Sequence, residues 1–275
     1  MDKLEQKLFW ENGKLCYIGE IVNNMKNGYG RKYHSTGELE YEGIFKNNVY
    51  CGKGKLFYPD NTILFEGEFS NDCLKHGVYY WKDGKYYIGE LKNDVIHGKG
   101  VLYNKDNTIE YDGYFHNGVK YGFGKLYYSN NILNYIGGFI NNCKTGDGIE
   151  YNQDGTIFRK GTFINNEFIK GVRHLGLTSY YVGDFRTDLF HGCGKLYNYN
   201  NIIYYDGAFV NGVKQGFGNL YHDNGFVSYS GEFINNVKNG YGTEYNYNGG
   251  IVYSGIFVNS IPLKNELTRN DNTLL

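Results

Sequence analysis

The chain is 275 residues long, yet 40 of them are Gly, 30 Tyr and 18 Phe, and only 2 are Pro; strand-type residues alternate throughout, which excludes disordered low complexity and a collagen-like chain. A net charge of −1 provides no overall field to draw in nucleic acid or an anionic membrane. The five cysteines, at 16, 51, 73, 143 and 193, are odd in number and lack Cys-x-x-Cys spacing, so reduced structural thiols are expected.

The N-terminus, MDKLEQKLFWENG, is charged and carries no apolar signal segment, and no run approaches the length of a membrane-spanning helix. A cytosolic protein is expected, with peripheral membrane attachment as the alternative. Residues 7–13 match residues 55–61, the second half of a later repeat. Complete repeats then open at Tyr17, Tyr41, Phe65, Tyr87, Tyr111, Tyr135, Arg159, Tyr181, Tyr205, Tyr229 and Tyr253, spaced by 24 residues or, twice, by 22. A fixed period of this size marks a tandem array in which each repeat buries its surface on its neighbours. Three segments follow: 1–16, a cap with half a repeat; 17–258, an array of ten to eleven repeats; and 259–275, a tail. In the tail the Gly pattern lapses and Pro262 appears, as suits a cap over the last strand; one helical turn is expected over 263–268.

Residues 111–134 show the repeat most fully. Tyr111, Gly113 and Phe115 share one face of a strand, and Asp112 and Tyr114 the other. Asn117-Gly118 is a turn, because both residues tolerate positive φ. Gly122 to Tyr128 is the returning strand, and Asn130-Asn131 the next turn. Glycines are poor strand formers, so their recurrence implies close approach, with an aromatic ring lying where a Cβ would be. The aromatic sixteen residues into most repeats, such as Tyr127, should by strict alternation face away from the glycines. Either both faces carry aromatics or a bulge shifts the parity. The fold expected is all-β: tandem hairpins in one elongated, twisted, single-layer antiparallel sheet, about 100 Å long for about 22 strands.

Tyr-x-Gly-x-Phe, Asn-Gly, Gly-x-Gly and Tyr, in this order over residues 8–258, resemble the MORN (membrane occupation and recognition nexus) repeat, with repeats mostly one residue longer than usual. The resemblance implies tandem hairpins with a groove along one face. It also implies scaffold or adaptor roles, with binding of peptides, phospholipids or a second copy.

No stretch reads as catalytic. Residues 138–145 miss the phosphate-loop pattern at Cys143 and precede no helix. His191 and Cys193 lack further ligands, and His97 lies four repeats away, so no metal is expected. No catalytic, cofactor-binding or metal-binding residue is assigned, and the chain is read as a non-enzyme that needs no cofactor. Two surfaces stand out instead. One is a partner groove of opening aromatics: Tyr87, Tyr111, Tyr135, Tyr181, Tyr205 and Tyr229. The other is a lysine edge of Lys26, Lys120, Lys144, Lys214 and Lys238, suited to an acidic partner or lipid, with Asp60, Asp83, Asp106, Asp154 and Asp223 at the opposite edge. The worn repeat at Arg159 should divide the groove. The function expected is a scaffold or adaptor that binds a protein segment along the aromatic-glycine groove or assembles with itself. The alternative is a peripheral module for anionic phospholipid; nucleic acid is not expected.

Overall fold

The computed structural model describes residues 5–176 and 178–263. They form 23 strands and, among the described residues, no helix. The chain divides into two compact bodies, one of residues 1–145 with 150–156 and the other of 146–149 with 157–275. In the N-terminal body each strand from Gln6–Phe9 to Leu133–Ile140 pairs antiparallel with the next in sequence. The C-terminal body does the same from Ile157–Ile164 to Ile261–Pro262. The helical turn expected over 263–268 lies, apart from Leu263, outside the described residues.

Each repeat is one hairpin, such as Ile109–His116 and Val119–Tyr127. In the turn Asn117-Gly118 both central residues have positive φ, 48° and 83°. Such a mirror-image turn matches the right-handed twist of the strands. The Asn at the second turn position also ties repeats together. Asn142 accepts a hydrogen bond from the Lys120 N–H at 2.8 Å and donates its own N–H to the Lys120 carbonyl at 3.0 Å. Asn48 and Asn236 clamp Lys26 and Lys214 in the same way.

The glycines stand opposite one another. Gly113 faces Gly100 on one side and Gly124 on the other, and Gly124 faces Gly137. The ring of Tyr111 lies over this file: a Cβ on Gly124 would stand 2.3 Å from the Tyr111 hydroxyl. That hydroxyl donates to the Tyr114 carbonyl at 3.1 Å, so the buried polar tip is satisfied. In repeats that open with Tyr and follow another Tyr repeat, the Phe sits edge-on between the two tyrosines. Phe139 lies 5.3 Å from both Tyr135 and Tyr111, and Phe233 lies 5.3 Å from Tyr229 and 5.4 Å from Tyr205. Edge-to-face pairs at this separation are favoured by the ring quadrupole. This ladder, on one face of a single-layer sheet, is the core.

Candidate functional site

The opening rings do not form an open groove. Tyr87, Tyr111, Tyr135, Tyr181, Tyr205 and Tyr229 are each 0% exposed, so the expectation of a partner surface there is corrected: these rings are the core. Burial pushes the Tyr111 and Tyr205 hydroxyls up to about 12, and those of Tyr87 and Tyr181 higher still.

The lysine edge is corrected with them, because the lysines cover those same rings. Lys120 Nζ lies 5.2 Å from the Tyr111 ring centre, Lys144 4.9 Å from Tyr135, Lys214 4.7 Å from Tyr205 and Lys238 4.7 Å from Tyr229. Lys26 covers Tyr17 at 5.3 Å. Three of the five also pair with carboxylates: Lys120 with Glu110, Lys144 with Glu150 and Lys238 with Glu244. Desolvation lowers the pKa of Lys26 and Lys214 below that of an ordinary lysine. In other repeats the covering residue is Tyr50, stacked on Tyr41 at 3.9 Å, or Phe190, stacked on Tyr181 at 4.0 Å. Long stems of every chemical type at this one position were the signal of a lid that sequence reasoning missed.

At the opposite edge the acids build turns. Asp60, Asp106 and Asp154 each accept hydrogen bonds from the N–H and hydroxyl of the Thr two residues on. The Thr62 hydroxyl, followed by its N–H, holds Asp60 down at about 2. Asp83 accepts from the Lys85 N–H.

Arg159 takes the place of an opening ring without breaking the ladder. Its guanidinium is buried over Phe163 and Phe168, at 5.6 and 4.9 Å, and pairs with Asp188. Arg173, directly across the strand pair, donates to the Asp188 carbonyl at 2.6 Å. From Phe163 the rings run on through Phe168 to Phe185 and Tyr181. Arg159 therefore divides no groove, since the rings around it are buried too.

The face away from these rings is the open one. In the Tyr111 repeat the register shifts so that Tyr121, Gly122 and Phe123 stand against Tyr114. Gly122 supplies the left-handed turn this bulge needs, with φ 71°. The first glycine of every Gly-x-Gly does so: 28, 52, 98, 122, 146, 192, 216 and 240 all have positive φ. Only the second glycine makes room for the ring. The residue between them is turned outward. Tyr29 and Phe123 are 57% exposed, Phe217 61% and Tyr241 68%. Tyr245 lines the same groove as Tyr241 and Thr243, so alternation holds and both faces carry aromatics.

Beside the glycine file on this face runs a second file of cross-strand neighbours. In the N-terminal body it includes Arg31, Glu42, Lys55 and Glu66. Glu42, Lys55 and Glu66 edge a groove of ≈ 580 Å³ with Tyr29, Lys53 and Glu68, floored by Gly43, Gly54 and Gly67. Tyr29 and Arg31 both donate to Glu42, at 2.5 and 2.9 Å, and hold its carboxyl below the usual range. In the C-terminal body the file reads Asn219, Ser230, Thr243 and Ser254. There a groove of ≈ 450 Å³ lies between Phe217 and Tyr241, over Gly231, Gly242 and Gly255.

The MORN repeat family model matches residues 17–38, 41–63, 76–86, 87–109, 111–132, 181–201, 205–226 and 229–251, more than half of the chain. The chain belongs to the MORN repeat family. Members are generally non-enzymatic repeat proteins. No curated protein matches it. Among solved structures, a catalytically inactive virginiamycin B lyase from Staphylococcus aureus, crystallised with quinupristin, is 14% identical over 94% of this chain and 75% of that one. Its TM-score is 0.16, too low to inform on this MORN protein.

Proposed function

We propose that this MORN protein is a scaffold that holds a protein segment against the open face of its sheet. The observation that carries the reading is the outward set of Tyr29, Phe123, Phe217 and Tyr241, large rings left in solvent by a fold that buries its opening rings from Tyr17 to Tyr229. Exposed aromatics standing beside glycine-floored grooves are the usual anchors of protein contacts. The inner face supports this less well, because its tyrosines are covered and its lysines lie over them.

The test is site-specific photo-crosslinking of the full chain in extracts of its native source, with the reactive group placed at Phe123, at Phe217 or, as the inner-face control, at Lys120. A discrete protein adduct from the open-face positions and none from Lys120 is the expected result. Adducts confined to Lys120, or co-sedimentation with anionic but not neutral vesicles and no protein adduct, would replace this reading with the inner face or with lipid.

A further inference from the structure

The charged row on the open face of the N-terminal body is its own complement, and we infer that this stretch of sheet binds a second copy of the chain, face to face, about a two-fold axis. The inference extends the scaffold reading to one part of the open face and names the occupant there.

The row reads Arg31, Glu42, Lys55 and Glu66 on four successive strands. Reversed, it carries the opposite sign at every place. A two-fold axis that runs along the strands, between Leu39–Lys46 and Val49–Phe57, lays the row on its own reverse. Arg31 then meets Glu66 of the second copy and Glu42 meets its Lys55, each contact made twice, as two-fold symmetry requires. An axis through one of these strands, or one that runs across them along the row, sets like charge on like. A uniformly acidic or basic partner, an anionic lipid surface included, meets as many like charges in this row as unlike ones. A second copy about this one axis meets only unlike ones.

The files on either side obey the same axis. Next to the row, Tyr33 pairs with Leu39 and Phe57 with Ile63. Turned over, Tyr33 falls on Ile63 and Leu39 on Phe57, apolar on apolar. On the other side, Tyr29 stands against Ile44 and Lys53 against Glu68. Tyr29 falls on Glu68, a carboxylate that can accept from its hydroxyl, and Ile44 falls on the apolar stem of Lys53. One strand further out, Ile18 beside Arg31 falls on Val78 beside Glu66, and Glu20 falls on His76 beside Glu68. None of these files brings two like charges together.

The groups also have bonding capacity left for a second copy. Tyr29 and Arg31 both donate to one oxygen of Glu42, Oε1. Lys55 and Glu66 pair with their side chains 41% and 45% exposed. Carboxylates, ammonium groups and guanidinium groups have more sites than these bonds fill. Sheets packed face to face stand about 10 Å apart, a gap that a basic and an acidic side chain span together. The row of Asn219, Ser230, Thr243 and Ser254 has no such code, so the dimer belongs to the N-terminal body.

The experiment is sedimentation velocity of the full chain over a range of micromolar concentrations, with circular dichroism to confirm that each variant is folded. A reversible monomer–dimer equilibrium is expected, weakened by added salt. Glu42→Lys with Glu66→Lys makes the row wholly positive, and Arg31→Glu with Lys55→Glu makes it wholly negative. Each pair should weaken dimerisation at least tenfold, and an equimolar mixture of the two should restore it. Ser230→Lys with Thr243→Lys should change it less than twofold. Should either double variant fail to fold, Glu66→Lys and Arg31→Glu alone, which face each other across the axis, serve in the same mixture. A monomer at every concentration up to about 100 μM, a dimer indifferent to charge reversal, or folded variants that stay monomeric when mixed would overturn the proposal. None of these outcomes alters the crosslinks from Phe123 and Phe217, which lie outside this stretch and test the scaffold reading separately.

Discussion

Arg31, Glu42, Lys55 and Glu66 hold the same places on four strands of the N-terminal body that Asn219, Ser230, Thr243 and Ser254 hold on four strands of the C-terminal body. The first row is charged with alternating sign and the second is neutral. Beneath both runs a file of paired glycines under opening rings, each ring edge-to-face with the Phe four residues on. The lesson is a division of labour within the repeat. One set of positions completes the fold without reference to the open face, so the other set is free to differ from repeat to repeat and carry whatever recognition the protein has.

The shared half of this comparison is tested hardest by alkali. An ordinary tyrosine titrates near 10.0, whereas Tyr17, Tyr111 and Tyr205 are held at about 12 by burial. A folded-state value raised above the unfolded one means stability that is full below pH 10 and is lost as pH rises through 12. Lys26 and Lys214 are lowered instead, so their contribution improves up to about their unfolded value of 10.5, but they are two groups against many. Both bodies should therefore unfold cooperatively between about pH 10 and 12, with circular dichroism and tyrosinate absorbance changing together. Tyrosines that titrate near 10 while the dichroism stays constant would contradict the buried ladder.

Next in size are the glycines beneath the rings. A Cβ on Gly113 would stand 2.7 Å from the Gly124 Cα, and one on Gly207 2.5 Å from the Gly218 Cα, distances a backbone cannot yield cheaply. Gly113→Val and Gly207→Val should each cost about 3 kcal/mol in urea unfolding, with faster hydrogen exchange concentrated in the adjacent repeats. A large effect in one body and none in the other would break the claim of a common core.

A smaller effect is expected at the lids. Lys214→Ala uncovers Tyr205 and removes a cation–π contact, for about 1 kcal/mol. Lys214→Met keeps the stem over the ring, avoids burying a charge, and should recover most of that loss in thermal melts. If Met is no better than Ala, the ammonium rather than the stem is what covers the ring.

The least costly change is on the open face itself. Lys55 and Glu66 pair at 3.1 Å, with both side chains about two-fifths exposed or more. Lys55→Gln should change stability by no more than about 0.5 kcal/mol, and less at high salt. Ser230→Ala in the neutral row should be as mild and should not respond to salt. A loss well above this at either position would mean that the open face does contribute to the fold.

The repeat, its hairpin, its turns and the reason for the second glycine were legible in the sequence, because each rests on a local rule: period 2, positive φ at Asn-Gly, and no room for a Cβ. Which aromatics are buried was not legible. Because a single-layer sheet cannot hide both faces, the opening tyrosines read in the sequence as a partner groove. The structure hides them by laying each ring down on two glycines and covering it with the residue nine positions on. Alternation alone cannot say which of two aromatic faces does this. The first glycine of each Gly-x-Gly was also misjudged, since a bulge glycine and a close-approach glycine look identical in one dimension. The difference decides that Phe123 and Tyr241 point outward.

That bulge also sets the punctuation of the chain. The two repeats of 22 residues, opening at Phe65 and Arg159, are short in their returning strands, where Glu68 faces His76 and Phe69 faces Leu74 with one extra residue instead of a three-residue loop-out. What they lack is the Gly-x pair itself. Each keeps its place in the sheet yet displays no outward letter, so it acts as a space. On either side of the first space stand Tyr29 and Lys53, then Lys99, Phe123 and Asp147; beyond the second stand Cys193, Phe217 and Tyr241. The outward residues thus fall into short words rather than one continuous line. Inserting a Gly-x pair after Lys75 would join two words that the chain now keeps apart.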